Sequence, residues 1–432
     1  MGVTGLTCRT GHRARTTRGL GTRLGVAACL AGSLLITACG GDGGESTGGP
    51  AADQSAELLG PVARATGAPI RIGIVSDGKS PVSDQSIEFA AAAAAVKYLN
   101  EHKSGIGGRP IELVECESIG DPGKTSDCAN QMIEEDVVAV IGGTTSAGES
   151  LAAPLQEANM PLVVYGATGS ALLLDKESTF ALSDSIEGQI GVAIQAAKDA
   201  GASKVTAVVI DVPAATAVQR TIAPDEYKKA GLSLNLVTVP PGTADMTAQI
   251  QKSVADDPGL VFVIGNDSFC IGVFKSLLAV GHDGPVAAIS QCVTDSTRKQ
   301  IPTNFLDGMR LSAVAPVGDN PSSQFYKAVA TTYAKDIDTS RPAGMGVFIS
   351  VLALQAAVGG ITGDVNPQTI LTTIKTMPEM ELPASAGLRF RCNGKANSIT
   401  PAVCTSGGLT TTLDAEGLPT AYQIVGAAPV PD

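Results

Sequence analysis

Val137-Val138-Ala139-Val140-Ile141-Gly142-Gly143-Thr144-Thr145-Ser146-Ala147-Gly148 is the stretch that decides the fold. Val137–Ile141 is a β-branched apolar run without alternation, which a strand buried on both faces requires. The glycines and hydroxyls that follow read as a loop, and Glu149–Ala158 reads as a helix. Pro161–Tyr165 is apolar again and runs into a second small loop, Gly166-Ala167-Thr168-Gly169-Ser170. Strand, loop, helix, strand is the unit of a parallel sheet covered by helices.

The same unit repeats on both sides. Upstream, strand Ile70–Val75 leads to the Ala-rich helix Gln85–Asn100, which carries Ile87, Ala91, Ala95 and Leu99 on one face. Gly105–Pro110 turns the chain into strand Ile111–Cys116, and Lys124–Glu135 is helical. Downstream, helix Ile186–Ala200 begins a second series. Its strands are Lys204–Ile210, Ser233–Val239, Leu260–Ile264 and Pro285–Ile289; its helices are Pro224–Ala230, Met246–Ala255 and Phe269–Val280. Helices near Ser322–Lys335, Met345–Val358 and Pro367–Thr376 and short strands Leu388–Arg391 and Tyr422–Val425 follow. The fold class is α/β, in two similar lobes. About 390 residues remain after the N-terminal segment, more than one core usually holds.

That segment, residues 1–38, holds Arg9, Arg13, Arg15, Arg18 and Arg23 and no acid. The apolar run Leu24–Ala38 is too short for a spanning helix of about 20 residues. Basic, then apolar, then small is the order of a secretory signal peptide. Leu35-Ile36-Thr37-Ala38-Cys39 resembles a lipobox, so Cys39 is expected to carry the lipid that holds the chain on a membrane. Residues 39–69 are expected to be the lipidated N-terminus and a flexible tether.

Removing the five arginines leaves 25 basic residues against 42 acidic, near −17 against −12 for the whole chain. No basic patch is visible, which argues against nucleic acid. Tryptophan is absent and aromatics are 3%, which argues against an aromatic-lined sugar or nucleotide cleft. Six cysteines remain in the exported part: Cys116, Cys128, Cys270, Cys292, Cys392 and Cys404. An even number in an exported chain suggests disulfides, and the short spacings favour sequential pairs. A metal site is the rival reading, weakened by the lack of C-x-x-C and by having only His102 and His282. No cofactor is expected.

Ligands of open parallel sheets bind beyond the carboxyl ends of strands. Loops 142–148 and 166–170 lie there, each ahead of a helical turn. Free N–H groups and hydroxyls at such a place suit an anion; ordinary N-capping by Thr and Ser is the other reading.

The order lipobox, tether, Ile70–Val75, Ala-rich helix, Gly107-Gly108-Arg109-Pro110-Ile111, Val140-Ile141-Gly142-Gly143, then Pro161–Thr168 resembles the type I periplasmic solute-binding family. Its leucine/isoleucine/valine-binding branch, from ABC importers, is the nearest in pattern. The resemblance spans about Ile70 to Val425 and rests on order and spacing more than on any one motif. It implies two Rossmann-like lobes joined by three crossings, with the ligand between them. We expect residues 70–185 plus 316–385 in lobe 1 and 186–315 plus 386–432 in lobe 2. It further implies that Ser146, beside Thr145, and the triplet Gly166-Ala167-Thr168 hold a ligand carboxylate. The branch's ammonium-binding aromatic and Glu are not matched. The loop after Ile210 is Asp211–Thr216, and Gly265–Cys270 puts Cys270 near the place of the Glu. Asp267, Asp211 or Glu187 then supplies that charge, or the ligand has no ammonium, because an unpaired buried ion is costly. For Asp267, capping the helix before Phe269 is the competing role. Cys270 and Cys292 would lie at neighbouring strand ends and could pair. Phe269 reads as core, Tyr165 as wall or core, and Ser83 and Asp84 as candidate contacts.

The implied function is an extracytoplasmic, lipid-anchored receptor of an ABC importer, working as a monomer. It binds a small aliphatic amino acid or a related carboxylate or amide by lobe closure. Its partners are the small ligand, the ABC permease and, through Cys39, the membrane. A ligand-sensing surface receptor of the same fold is the alternative. An enzyme is disfavoured, since the exported part has no G-x-S-x-G elbow and no Ser with an evident His base.

Overall fold

The computed structural model describes residues 57–80, 83–167 and 169–432. The signal segment, the Cys39 anchor and Thr168 lie outside the described residues. Among the described residues, no helix is long and apolar enough to cross a membrane.

The strands β1 (Ile70–Ser76), β2 (Ile111–Glu117), β3 (Val140–Gly142), β4 (Leu162–Gly166) and β5 (Thr179–Ser183) make one parallel sheet, in the order β2-β1-β3-β4-β5. Successive side chains go to opposite faces. Ile72, Ile74, Ile141, Val163, Tyr165, Phe180 and Leu182 enter one core, with helices Ile87–His102 and Pro342–Val358. Val75, Val140, Leu162, Val164 and Ala181 enter the other, with helices Pro122–Glu134 and Gly148–Glu157. Burial on both faces is why Ile72–Val75, β3 and Leu162–Tyr165 read as apolar runs.

The second sheet adds β6 (Lys204–Ile210), β7 (Ser233–Val239), β8 (Leu260–Ile264), β9 (Val286–Ile289), β10 (Arg310–Ala313), β13 (Gly408–Leu413) and β14 (Pro419–Val425). Its order is β14-β13-β10-β9-β8-β6-β7, with β13 antiparallel to both of its neighbours and the other pairs parallel. The chain passes between the sheets three times: between Ser183 and Ile186, between Ala313 and Pro321, and between Thr405 and Gly408.

Several elements differ from the sequence expectation. Strands β5, β10 and β13 stand where the sequence suggests none, Gly408 beginning β13 rather than a turn, and the expected loop Asp211–Thr216 instead opens a helix, Pro213–Thr221. The expected strand Leu388–Arg391 is only β12 (Arg389–Phe390), paired with β11 (Met380–Glu381). Residues 388–404 join the first lobe, not the second. Leu388, Phe390, Cys392 and Cys404 are buried in the first core. Ala181 N–H donates to Ala402 O, and Cys404 N–H to Ala181 O, at 2.8 Å each. This segment therefore extends the edge of the first sheet beyond β5, and the boundary expected at 386 moves to 405–408.

Three disulfides join Cys116 to Cys128, Cys270 to Cys292 and Cys392 to Cys404, with Cα–Cα distances of 5.5, 5.2 and 4.4 Å. These distances lie within the span that a disulfide bridges.

Candidate functional site

The first sheet has a reversal of strand order at β1. The connection from β1 leads to β2 on one side, and the chain then returns to β3 on the other. A crevice forms beyond the carboxyl ends at such a point. Asp77 follows β1, and the loop 143–147 follows β3, so both lie at this reversal.

Their side chains meet. Ser146 donates to Asp77 Oδ2 twice, from its N–H at 2.8 Å and its hydroxyl at 2.6 Å. The Ser118 hydroxyl, beyond β2, donates to Asp77 Oδ1 at 2.8 Å. Asp77 is 1% exposed. Burial pushes its carboxyl up, but the bonds from Ser146, Ser118 and the Gly120 amide outweigh that and hold it below the usual aspartate range.

A second acid lies beside it. Glu88, in the first turn of helix Ile87–His102, is also 1% exposed. Thr144 donates to it from its N–H, at 3.0 Å to Oε1 and 2.9 Å to Oε2, and from its hydroxyl at 2.7 Å. The Ser76 hydroxyl donates to it as well. Burial pushes Glu88 above the usual range despite these bonds, and the Asp77 charge adds to the shift. Gly143 makes room for this carboxylate, since a Cβ there would meet Glu88 Oε2 at 2.5 Å. The donors of Thr144 and Ser146 thus face two acids of the protein itself.

The other expected contacts are distributed differently. Thr145 is half-buried, and its Oγ1 accepts from Ala147 N–H at 3.2 Å. Gly166 is exposed, with nothing within 4 Å of where a Cβ would stand. Ala167 is 3% exposed and packs in the core beside Leu172, so its side chain is structural. Asp267 is the first residue of helix Asp267–Ala279; its Oδ1 accepts from Ser268 N–H at 2.7 Å and its Oδ2 from Thr294 Oγ1 at 3.3 Å. The cap of that helix is Asn266, which accepts from Phe269 N–H at 3.0 Å. Asp267 is therefore not the cap. Cys270, bridged to Cys292, is buried. Tyr165 and Phe269 are core residues. Asp211 pairs with Arg220 at 3.1 Å. Asp84 accepts from Ser86, and the Ser83 carbonyl from Ser80. Burial and the neighbouring Asp184 and Glu226 push Glu187 up.

Asp77, Glu88 and Ser118 were not singled out from the sequence. The available signals were an acid directly after a largely apolar strand and an acid near the start of an alanine-rich helix face. Neither reveals its partner, which comes from another strand. A hollow of about 580 Å³ lies elsewhere, at the amino ends of β8, β9 and β10, lined by Leu260, Val286, Met309 and Arg310. Among the described residues, no cluster could hold a metal ion.

The model of the periplasmic binding protein family matches residues 69–402. Solved structures match at low identity. A putative branched-chain amino acid ABC transporter protein of Rhodospirillum rubrum is 16% identical, with a TM-score of 0.67, over 82% of this chain and 100% of that one. The branched-chain amino acid transporter substrate-binding protein of Streptococcus pneumoniae, in complex with isoleucine, is 18% identical, with a TM-score of 0.60, over 83% and 99%. A solute-binding protein of an ABC transporter from R. palustris, in complex with 4-hydroxybenzoate, is 18% identical, with a TM-score of 0.61, over 84% and 98%. No curated protein matches the chain. With more than half its length matched by the family model, and with two parallel α/β lobes crossed three times, the chain belongs to the periplasmic binding protein family and has its type I fold.

Proposed function

We propose that this chain is the extracytoplasmic solute receptor of an ABC importer, held on the membrane by lipid on Cys39 and acting as a monomer. It captures a small aliphatic amino acid, or a related small carboxylate or amide, by closing its lobes. The observation that carries this reading is the strand-order reversal at β1 with polar loops gathered at its carboxyl end, on a two-lobed scaffold of the family. That structures of similar fold were solved with isoleucine and with 4-hydroxybenzoate supports a solute of that size. Contacts are proposed from Thr145, Ser146, the Gly166-Ala167-Thr168 backbone and, from the second lobe, Asp267. Capture involves no covalent step, so the working event is a change in the closed population.

The test is denaturation of the purified protein followed by mass spectrometry of what is released, paired with a thermal-shift screen of amino acids, carboxylates and amides. We expect one class of small solute to be retained or to raise the melting temperature. No retained solute and no shift across the screen would count against a receptor.

A further inference from the structure

We propose that Asp77 occupies, from within the protein, the carboxylate site formed by the loops after β1, β2 and β3, so the captured solute does not dock a carboxylate there. This rests on the receptor reading and narrows its ligand to the carboxylate-free, amide-like end of the proposed class.

The site is built around an anion. Two donors from Ser146 converge on one Asp77 oxygen, at 2.8 and 2.6 Å, and the Ser118 hydroxyl reaches the other at 2.8 Å. These donors come from the ends of two different strands, and the acceptor comes from a third. Amides and hydroxyls held so by strand ends form a rigid cradle for a carboxylate.

A free solute cannot easily take Asp77's place. Asp77 is tethered, so its effective concentration at the cradle far exceeds that of any solute. Displacing it would strand a charge that is 1% exposed, beside Glu88 at 1% exposure, with an incoming anion adding to the repulsion. Thr144, two residues earlier in the loop, is engaged by Glu88. What the strand ends still offer includes the Thr145 side chain, the exposed surface at Gly166 and, in the second lobe, the carboxylate of Asp267. An acceptor of that kind suits the N–H groups of an amide or amine rather than a second anion.

Chemical rescue tests the occupancy. Asp77→Gly should empty the cradle, and formate at constant ionic strength should raise that variant's melting temperature saturably. Wild type and Asp77→Gly/Ser146→Ala should show no such rise. Absence of the rise in Asp77→Gly, or an equal rise in all three, overturns the proposal. If Asp77→Gly does not fold in plain buffer, refolding with formate gives the same readout. With the cradle empty, Asp77→Gly should also bind isovalerate at least tenfold more tightly than wild type does; unchanged rejection overturns the proposal.

Wild type should bind isovaleramide at least tenfold more tightly than isovalerate by calorimetry. A carboxylate solute released from wild type, or preference for isovalerate, overturns this inference and leaves the receptor reading standing. Failure of every solute to bind counts against the receptor reading, while formate rescue still decides the role of Asp77.

Discussion

Gly408 and Gly188 meet backbone to backbone where the chain crosses between the lobes for the third time. A Cβ on Gly408 would overlap the Gly188 Cα, whereas a Cβ on Gly188 finds its nearest neighbour, Ser312 Oγ, at 3.6 Å. The contact is asymmetric because Gly408 begins β13 while Gly188 lies inside helix Ser185–Asp199. Gly408→Ala should destabilise by about 1–3 kcal/mol through overpacking. Gly188→Ala should be neutral or gain up to about 1 kcal/mol from helix propensity. Denaturant unfolding of the two variants checks this; equal effects would contradict the asymmetry.

The two buried acids predict opposite pH slopes. Burial raises Glu88 in the folded state above its ordinary 4.5, so the folded protein holds the proton that the unfolded chain releases. That contribution is full below about 4.5 and is lost as pH rises through the raised value. Glu88→Gln should therefore gain melting temperature relative to wild type as pH rises through that window. Asp77 is lowered, so its contribution is present above its ordinary 3.8 and is lost as pH falls through the lowered value. Asp77→Asn should lose most relative to wild type above 3.8, with the gap narrowing in acid. Melting curves across pH for the three proteins give both slopes, and slopes of the same sign would refute the assignment.

The Cys270–Cys292 bridge closes a loop with a sequence separation of 22 and ties the start of helix Asp267–Ala279 to the turn after β9. Cys270→Ala/Cys292→Ala should cost about 3 kcal/mol, from chain entropy returned to the unfolded state. It should also loosen Asp267, whose bond to Thr294 spans the same two segments. Urea unfolding reads the first effect. Amide hydrogen exchange at residues 266–270 should quicken; protection equal to wild type there would show that the bridge does not hold the loop.

Anchoring and capture should separate. Cys39→Ala is expected to release the receptor into the medium with its solute affinity within about twofold of wild type, because a tether raises local concentration without shaping the cleft. Fractionation and calorimetry on the secreted variant measure both. A large loss of affinity would count against the proposed separation of anchoring at Cys39 from capture.

Periodicity is local, and so the elements were legible. β1, β6 and β8 are apolar on both faces because helices cover both faces, and a reader of Ile70–Ser76 or Leu260–Ile264 needs no neighbour to see it. Strands β5 and β10 were missed because Thr179–Ser183 and Arg310–Ala313 are short and mixed, and they gain strand character from pairing with β4 and β9. The segment 388–404 was placed in the wrong lobe for a related reason: its attachment depends on backbone bonds to Ala181, far away in sequence.

The site divides in the same way. From residue types alone, the chain declared parallel α/β lobes, polar loops after two strands, and an even set of cysteines. The strand order that brings β3 beside β1 is set by how the crossovers pack, and no run of residues encodes it locally. Only that order brings Ser146 to Asp77, 69 residues earlier. A hydroxyl and an amide in a loop state that an acceptor is needed. Which carboxylate meets that need, a solute's or the protein's own, was decided by the tertiary fold, because hydrogen bonds depend on distances of about 3 Å that sequence spacing does not set.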